Sequence, residues 1–393
     1  MIIAHIAFQY GCCNTGGAAI AATRLHRALL AHGVDSHYIC VHQREPGVNV
    51  HELPRGWWRT FFLTLTKAIR CVWKFTTYRC SVCLNLVPLF GLEETLKELK
   101  PDVVHVQWIN ADVCSFEQLA KLPYKMVFNL HDLYLLNFLK NDRTWLERSL
   151  RRRKERLVQR KASAFITPSN WVCKTICQSQ LGYGIPSYAI SNIIDECYFD
   201  DPPARARNEK FVILFGAYGG RRNGFKGFSD LESALALLPD EVKSRCELRV
   251  FGEESEPCVI AGVSTKFFGE VTNPVLLREI YCAADILAFP SLQETQGMIK
   301  IEALLCGLPV VAFDRAACAE GVEHRRTGWI AADGDRHGFA DGIIHYFQQW
   351  EQGDIEATRG LIGRLARSRY LAGELVNRIE EVYRMMAQDS KGD

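Results

Sequence analysis

The sequence predicts an α/β protein made of two doubly wound parallel sheets, and three observations support this. Short runs of β-branched and apolar residues alternate with helix-length segments twice over. A polar, proline-bearing stretch, Asp200 to Asn208, separates the two series as a linker would. The 393 residues are enough to bury two cores, and 48% apolar with 23% charged content is that of an ordinary globular chain. The expected divisions are 1–200, 201–365 and a terminal segment, 366–393.

Met1 to Phe8 has no basic leader and no cleavage site, and reads as a first strand, Ile2–Phe8, rather than a signal peptide. It runs into a loop ending in Gly16 and Gly17, then a helix with Ile20, Leu25, Ala28 and Leu29 on one face. Two glycines at a strand-to-helix turn let backbone N–H groups approach an anion, and the helix terminus adds roughly half a positive charge there. No Gly-x-Gly-x-x-Gly accompanies them, so a dinucleotide fingerprint is not supported, and a plain tight turn reads as well. The further strands of this half are His37–Val41, Asp102–Gln107, Lys125–Leu130, Ala164–Thr167 and Ser187–Ser191. The third of these ends in His131-Asp132. There the histidine either makes the turn, with Asp132 as a cap, or presents its ring to a ligand.

In the second half the strands are Phe211–Phe215, Glu247–Phe251, Lys266–Phe268, Asp285–Phe289, Pro309–Phe313 and Trp329–Ala331. The loop after the first of these holds Arg221, Arg222 and Lys226-Gly227. Cations at a strand's carboxyl end suit an anionic leaving group such as a diphosphate, although surface cations are often only solvated. The most informative stretch is 290–314. Strand 285–289 enters a turn with Glu294, a helix opens near Gly297 and carries Glu302 on its second turn, and Cys306-Gly307 stops it before Pro309. Two acids eight residues apart are thereby held at the carboxyl end of a parallel sheet, the edge where open α/β folds bind ligands. The bland alternative is a capped helix with solvated acids. The pattern Ile362 to Met386 reads as one or two final helices.

These motifs resemble the donor-sugar signature of retaining glycosyltransferases of family 4, whose two acids lie at Glu-x7-Glu spacing. The resemblance runs from Asn14-Thr-Gly-Gly-Ala-Ala to about Ala332, and its opening is similar to that of bacterial exopolysaccharide or colanic-acid-type transferases. It implies the GT-B architecture, two Rossmann-like domains facing across a cleft, with the last helix crossing back to the first domain. It further implies that Glu302 holds the ribose hydroxyls and that Glu294 contacts the sugar near the reacting carbon. Lys226, an arginine at 221 or 222, and the Gly16-Gly17 loop would neutralise the diphosphate. His131 would reach a sugar hydroxyl or the acceptor, Gly269 and Val271 would read the base, and Gly297 and Met298 would line the donor side. The donor would be a UDP- or GDP-linked sugar, with no metal expected because side-chain cations would neutralise the diphosphate, and the acceptor lipid-linked or polysaccharide. Gln296-Gly297 stands where many members have Phe-Gly, and Lys300 is unusual, which leaves the donor open. A GT-B epimerase or hydrolase, or a catalytically inactive membrane-associated scaffold, would carry the same motifs.

Charge is unevenly distributed. Residues 1–200 hold 24 Lys/Arg against 16 Asp/Glu, whereas the remainder holds 23 against 29, which suggests different partners for the two halves. Between Leu53 and Leu92 there is no acid but six cations, Arg55, Arg59, Lys67, Arg70, Lys74 and Arg79, interleaved with aromatics such as Trp57, Trp58 and Trp73. That composition suits either an amphipathic helix on anionic lipid or a helix packed in the first domain. A second basic run, Arg148 to Lys161, is expected as an exposed helix, and without a nucleic-acid-binding module no nucleic acid is expected. No run of about 18 apolar residues would span a bilayer. The fifteen cysteines are scattered, and the lone Cys80-x-x-Cys83 has no second pair or histidines to complete a zinc site, as in a protein with reduced thiols. The expected location is cytoplasmic, peripheral on the inner face of the membrane.

Overall fold

The structure is a computed structural model. It describes residues 1–12, 16–53, 60–61, 64, 85, 87–109, 113–132, 145–203, 205, 207–217 and 219–388. The cations and most of the aromatics of the 53–92 segment lie outside the described residues. The chain forms two compact units, residues 1–193 with 372–393, and residues 194–371.

The first unit has seven strands: β1 (Ile2–Tyr10), β2 (Asp35–Gln43), β3 (Val50–Glu52), β4 (Val103–Val106), β5 (Lys125–Asn129), β6 (Ala162–Thr167) and β7 (Ser187–Ala189). Its described helices are α1 (Gly17–Ala31), α2 (Leu92–Leu99), α3 (Phe116–Lys121), α4 (Trp145–Lys161) and α5 (Asn170–Cys177). Ser115 and Ser169 cap α3 and α5, their side chains accepting from the N–H of Gln118 and Val172. Every strand pair is parallel, in the order β3-β2-β1-β4-β5-β6-β7. The order reverses between β1 and β4, and the chain leaves β1 into Gly16-Gly17 and β4 into Gln107-Trp108.

The second unit comprises β8 (Phe211–Gly216), β9 (Cys246–Phe251), β10 (Cys258–Ile260), β11 (Val263–Phe267), β12 (Ile286–Phe289), β13 (Val310–Phe313) and β14 (Gly328–Ala331). Its helices are α6 (Phe228–Ala236), α7 (Asp240–Ser244), α8 (Pro274–Cys282), α9 (Met298–Leu305), α10 (Arg336–Gln352) and α11 (Ile355–Arg369). The order is β10-β11-β9-β8-β12-β13-β14, parallel except for the β10–β11 hairpin, and it reverses between β8 and β12. A final helix, α12 (Ala372–Gln388), belongs to the first unit.

Both sheets are covered on both faces, which is why their central strands read as unbroken apolar runs. In the first unit α12 closes one face, where Leu375, Val376, Ile379, Val382, Tyr383 and Met386 pack with Ile3, Leu25, Val103 and Val127. Each such side chain contributes roughly 1.5–3 kcal/mol by leaving water, so an acid at Ile379 would strip the helix from the sheet. In the second unit, Phe211, Phe215 and Ala288 face α6 and α10, while Leu214, Leu287 and Ala312 face α8, α9 and α11.

The two doubly wound parallel sheets are those expected, and all twelve anticipated strands are present. The two unanticipated strands, β3 and β10, are three-residue edge strands. The basic run Arg148 to Lys161 does lie on a helix, but α4 is not wholly exposed: Lys154, Glu155 and Val158 are buried. The 200–208 stretch is not a loose tether either. Arg205 and Asn208 bond Asp285 at 2.6 and 3.0 Å, and the Arg207 guanidinium lies 4.3 Å from the centroid of the Trp350 ring.

Candidate active site

In open α/β sheets, ligands bind outside the carboxyl ends of the strands where the order reverses. In the second unit these are the loops after β8 and β12, and the chain draws them together. Lys226 ends a short 3-10 turn, Gly224–Lys226, that the Asn223 side chain caps. Its Nζ donates to Glu294 Oε1 at 2.7 Å, across 68 residues of sequence. The Leu292 N–H donates to the Phe225 carbonyl at 2.8 Å, and a Cβ on Gly227 would stand 2.0 Å from the Pro290 carbonyl oxygen. With φ at +68° as well, position 227 admits only glycine, and that close approach sets Lys226 over Glu294.

The two arginines of the loop differ. Arg221 is committed to Glu253, just beyond β9. Its Nη2 reaches Oε1 at 2.8 Å, its Nε reaches Oε2 at 3.1 Å, and its backbone N–H donates to the same oxygen at 2.9 Å. These hydrogen bonds hold the Glu253 carboxyl below its usual range. Arg222 lies exposed beside the pair. Further along, Gly269 accepts from the Gly252 N–H at 2.6 Å, so the loops after β9 and β11 are joined, and Val271 packs partly buried beneath them.

Gly297 has φ +80° and caps the amino end of α9; a Cβ there would stand 2.5 Å from the Phe289 ring. Met298 opens the helix, partly buried. Glu302 is only 3% exposed and accepts from the Tyr281 hydroxyl at 3.2 Å. Burial first, and then Glu302, pushes the Tyr281 phenol well above its ordinary range, so it stays a donor.

Gly16, Gly17 and His131 belong to the first unit. Gly16 precedes α1 in extended conformation, and its carbonyl accepts from the N–H of Ala19 and Ile20. His131 Nε2 lies 2.8 Å from Gln107 Oε1, and burial draws its ring down to about 4. Gln107 Nε2 in turn approaches His5 Nδ1 at 2.9 Å and His105 Nδ1 at 3.1 Å, and His105 meets the Tyr383 hydroxyl of α12 at 2.6 Å. A buried polar chain therefore links the last helix to the end of β5.

The sequence reading did not single out Gln107, Glu253 or Tyr281, and it noted Lys300 only as a departure. No local pattern marks the first three, which act through contacts between distant segments. Lys300 did leave a signal. The helix it sits on is apolar on every side, and such a helix is buried all round, taking its charged residues with it. Among the described residues, no group of three or more His, Cys, Asp or Glu could hold a metal ion. None of the described helices is long and apolar enough to cross a membrane.

Comparison with known proteins agrees with this architecture. The family profile "Glycosyltransferase Family 4" matches residues 15–196, and "Glycosyl transferases group 1" matches residues 210–349. The N-acetyl-alpha-D-glucosaminyl L-malate synthase of Bacillus anthracis is 25% identical over 219 residues, 51% of this chain and 54% of that protein. The chain thus spans about half the length of that relative. An uncharacterized 41.2 kDa protein of the cps region of Klebsiella pneumoniae is 23% identical over 309 residues, 74% of this chain and 81% of that one. Among solved structures, Anabaena HepE in complex with UDP and glucose superposes with a TM-score of 0.66 at 17% identity, covering 97% of this chain and 99% of its own, a likeness of fold. With two Rossmann-like sheets and the two family profiles following one another along it, the chain belongs to the GT4-like family of GT-B-fold glycosyltransferases.

Proposed function

We propose that the protein is a retaining glycosyltransferase that moves a sugar from a nucleotide-sugar donor to a lipid-linked or polysaccharide acceptor in cell-surface glycan synthesis. The observation that carries this reading is the Lys226–Glu294 contact at the reversal point of the second sheet. A cation and a carboxylate side by side suit a donor whose leaving group is a diphosphate and whose sugar offers hydroxyls. In this reading Lys226 neutralises the departing diphosphate, the electrostatic contribution that usually dominates such catalysis. Glu294 takes the sugar hydroxyls near the reacting carbon. Glu302, oriented by Tyr281, takes the ribose, while Gly269 and Val271 border the base, and Gly297 and Met298 the sugar. Arg222 is the arginine available to the diphosphate, since Arg221 is occupied by Glu253.

On the first unit, nothing among the described residues lies within 4 Å of a Cβ built on Gly16, and its φ of −74° suits any residue. Packing against the described residues therefore does not call for glycine there, which favours close approach to Gly16 by a group from outside, such as a phosphate, with Gly17 opening the helix beside it. His131 would contact the acceptor or a sugar hydroxyl. The basic balance of residues 1–200 suits an acceptor presented at the anionic inner face of the cytoplasmic membrane. Two of the similar proteins point the same way: HepE was solved with UDP and glucose, and the Klebsiella protein lies in a cps region.

The test is a panel of UDP- and GDP-sugars, followed for donor consumption with and without a lipid extract. Transfer that requires the extract supports the reading. Turnover without any acceptor would make the protein an epimerase or hydrolase, and binding of no nucleotide sugar would leave a scaffold.

A further inference from the structure

Lys300 is placed against every ordinary preference of a lysine. It is 1% exposed, on the first turn of α9, where the helix terminus already carries partial positive charge. Among the described residues no carboxylate forms an ion pair with it. Instead its three N–H donors are used on backbone: Nζ donates to the carbonyls of Ala317 at 2.7 Å, Cys318 at 3.1 Å and Glu320 at 2.6 Å. These carbonyls belong to the loop after β13, which is itself strained. Ala316 sits at φ +49° and Gly321 at +90°, and a non-glycine residue keeps such a conformation only where its surroundings hold it. The same loop reaches the strand end before Glu294, because Cys318 Sγ donates to the Ser291 carbonyl at 3.3 Å. Three segments thus meet at one buried ammonium: the helix bearing Glu302, the loop after β13, and through it the segment leading to Glu294.

We propose that Lys300 is a positioning residue of the nucleotide-sugar site, whose charged ammonium locks the loop after β13 so that Glu294 and Glu302 are held in register for the donor. This rests on the donor-site reading above. The ammonium form is required, because a neutral amine has two donors for three carbonyls. Burial lowers the Lys300 pKa to about 8, with Arg369 acting in the same direction, while Cys318, Glu294 and Glu320 oppose it. The lock therefore opens within the ordinary working range of pH, which a solvated lysine would not do.

The test titrates UDP and GDP into the full chain by calorimetry between pH 7 and 9, for wild type, Lys300→Met and Lys300→Arg. The expected result is that wild type loses affinity above pH 8, approaching about tenfold per pH unit. Lys300→Met should bind about tenfold or more weakly at pH 7 with no alkaline fall. Lys300→Arg, which stays charged, should lose the alkaline fall. Wild-type affinity that is flat to pH 9, a fall that persists in the arginine variant, or unchanged binding by Lys300→Met would overturn the proposal. Should one variant fail to fold, the other decides together with the wild-type profile. Wild type that binds neither nucleotide at pH 7 would remove the donor reading, and this proposal with it.

Discussion

Lys226 Nζ and Glu294 Oε1 meet 2.7 Å apart although 68 residues separate them, because β8 and β12 are neighbours in the sheet. The pair is shielded but not sealed: the lysine side chain is 24% exposed and the glutamate 11%. Each group is therefore the other's orienting partner as well as a candidate ligand for donor.

Residues that act as one unit give non-additive losses. Lys226→Ala and Glu294→Gln are each expected to lower kcat/KM for the donor by about a hundredfold or more, the scale seen on removing one preorganised electrostatic partner. The double variant should be little worse than the poorer single one. Losses that multiply would show that the two groups act separately, and the double-mutant cycle on steady-state rates reads this directly.

Arg221 and Arg222 are adjacent in sequence and should separate by assay. Arg221→Ala breaks a bidentate, partly exposed pair with Glu253, so it is expected to cost about 1–2 kcal/mol of stability. Arg222→Ala should change stability by less than about 0.5 kcal/mol, as most surface substitutions do. It should instead weaken nucleoside diphosphate binding. Thermal melts and UDP or GDP titrations of both variants check this, and a reversed pattern would exchange the two assignments.

Much of the candidate site was legible because its pieces are local. A strand, a turn with Glu294, a helix with Glu302 and a Gly stop lie within 25 residues, and each junction has its own chemical signal. The same holds for Lys226-Gly227. What could not be read was pairing across the sheet. That Lys226 faces Glu294, or Arg221 faces Glu253, depends on which strands are neighbours, and strand order is not written in either loop. The β10–β11 hairpin was missed for a different reason. Its turn is Ala261-Gly262, at φ +51° and +86°, and alanine there hides a turn that Asn-Gly would have announced.

Asp285 makes the linker stretch part of the second unit's stability. It is fully buried and accepts from Arg205 Nη2 at 2.6 Å, Asn208 Nδ2 at 3.0 Å and the Val212 N–H at 2.8 Å. Removing one partner of a buried pair leaves the other uncompensated, so Asp285→Ala should cost about 3–5 kcal/mol. Urea unfolding measures this as a lower midpoint at unchanged slope. A loss below about 1 kcal/mol would mean that Arg205 and the strand end find other partners.

The first unit should be acid-sensitive before its carboxylates titrate. His5, His26 and His105 are all fully buried. Desolvation, the largest cause in each case, lowers His5 well below 6.5, His26 to about 4 and His105 to about 3. The rings are neutral in the folded protein at neutral pH, and so are unfolded histidines above 6.5. As pH falls through 6.5 the unfolded chain takes up protons that the folded one refuses, so stability is lost on acidification. Each such histidine contributes a slope of up to about 1.4 kcal/mol per pH unit, which continues down to its folded pKa. His105 also bonds Tyr383, so the loss is expected to reach the docking of α12 against the sheet. Urea midpoints at pH 7.5, 6.5, 5.5 and 5.0 should fall steeply over the last three, and these three rings together with His131, likewise drawn down to about 4, should take up roughly three to four protons on unfolding at the lowest. A midpoint constant from pH 7.5 to 5.0 would show that these rings take up protons inside the fold, which their burial argues against.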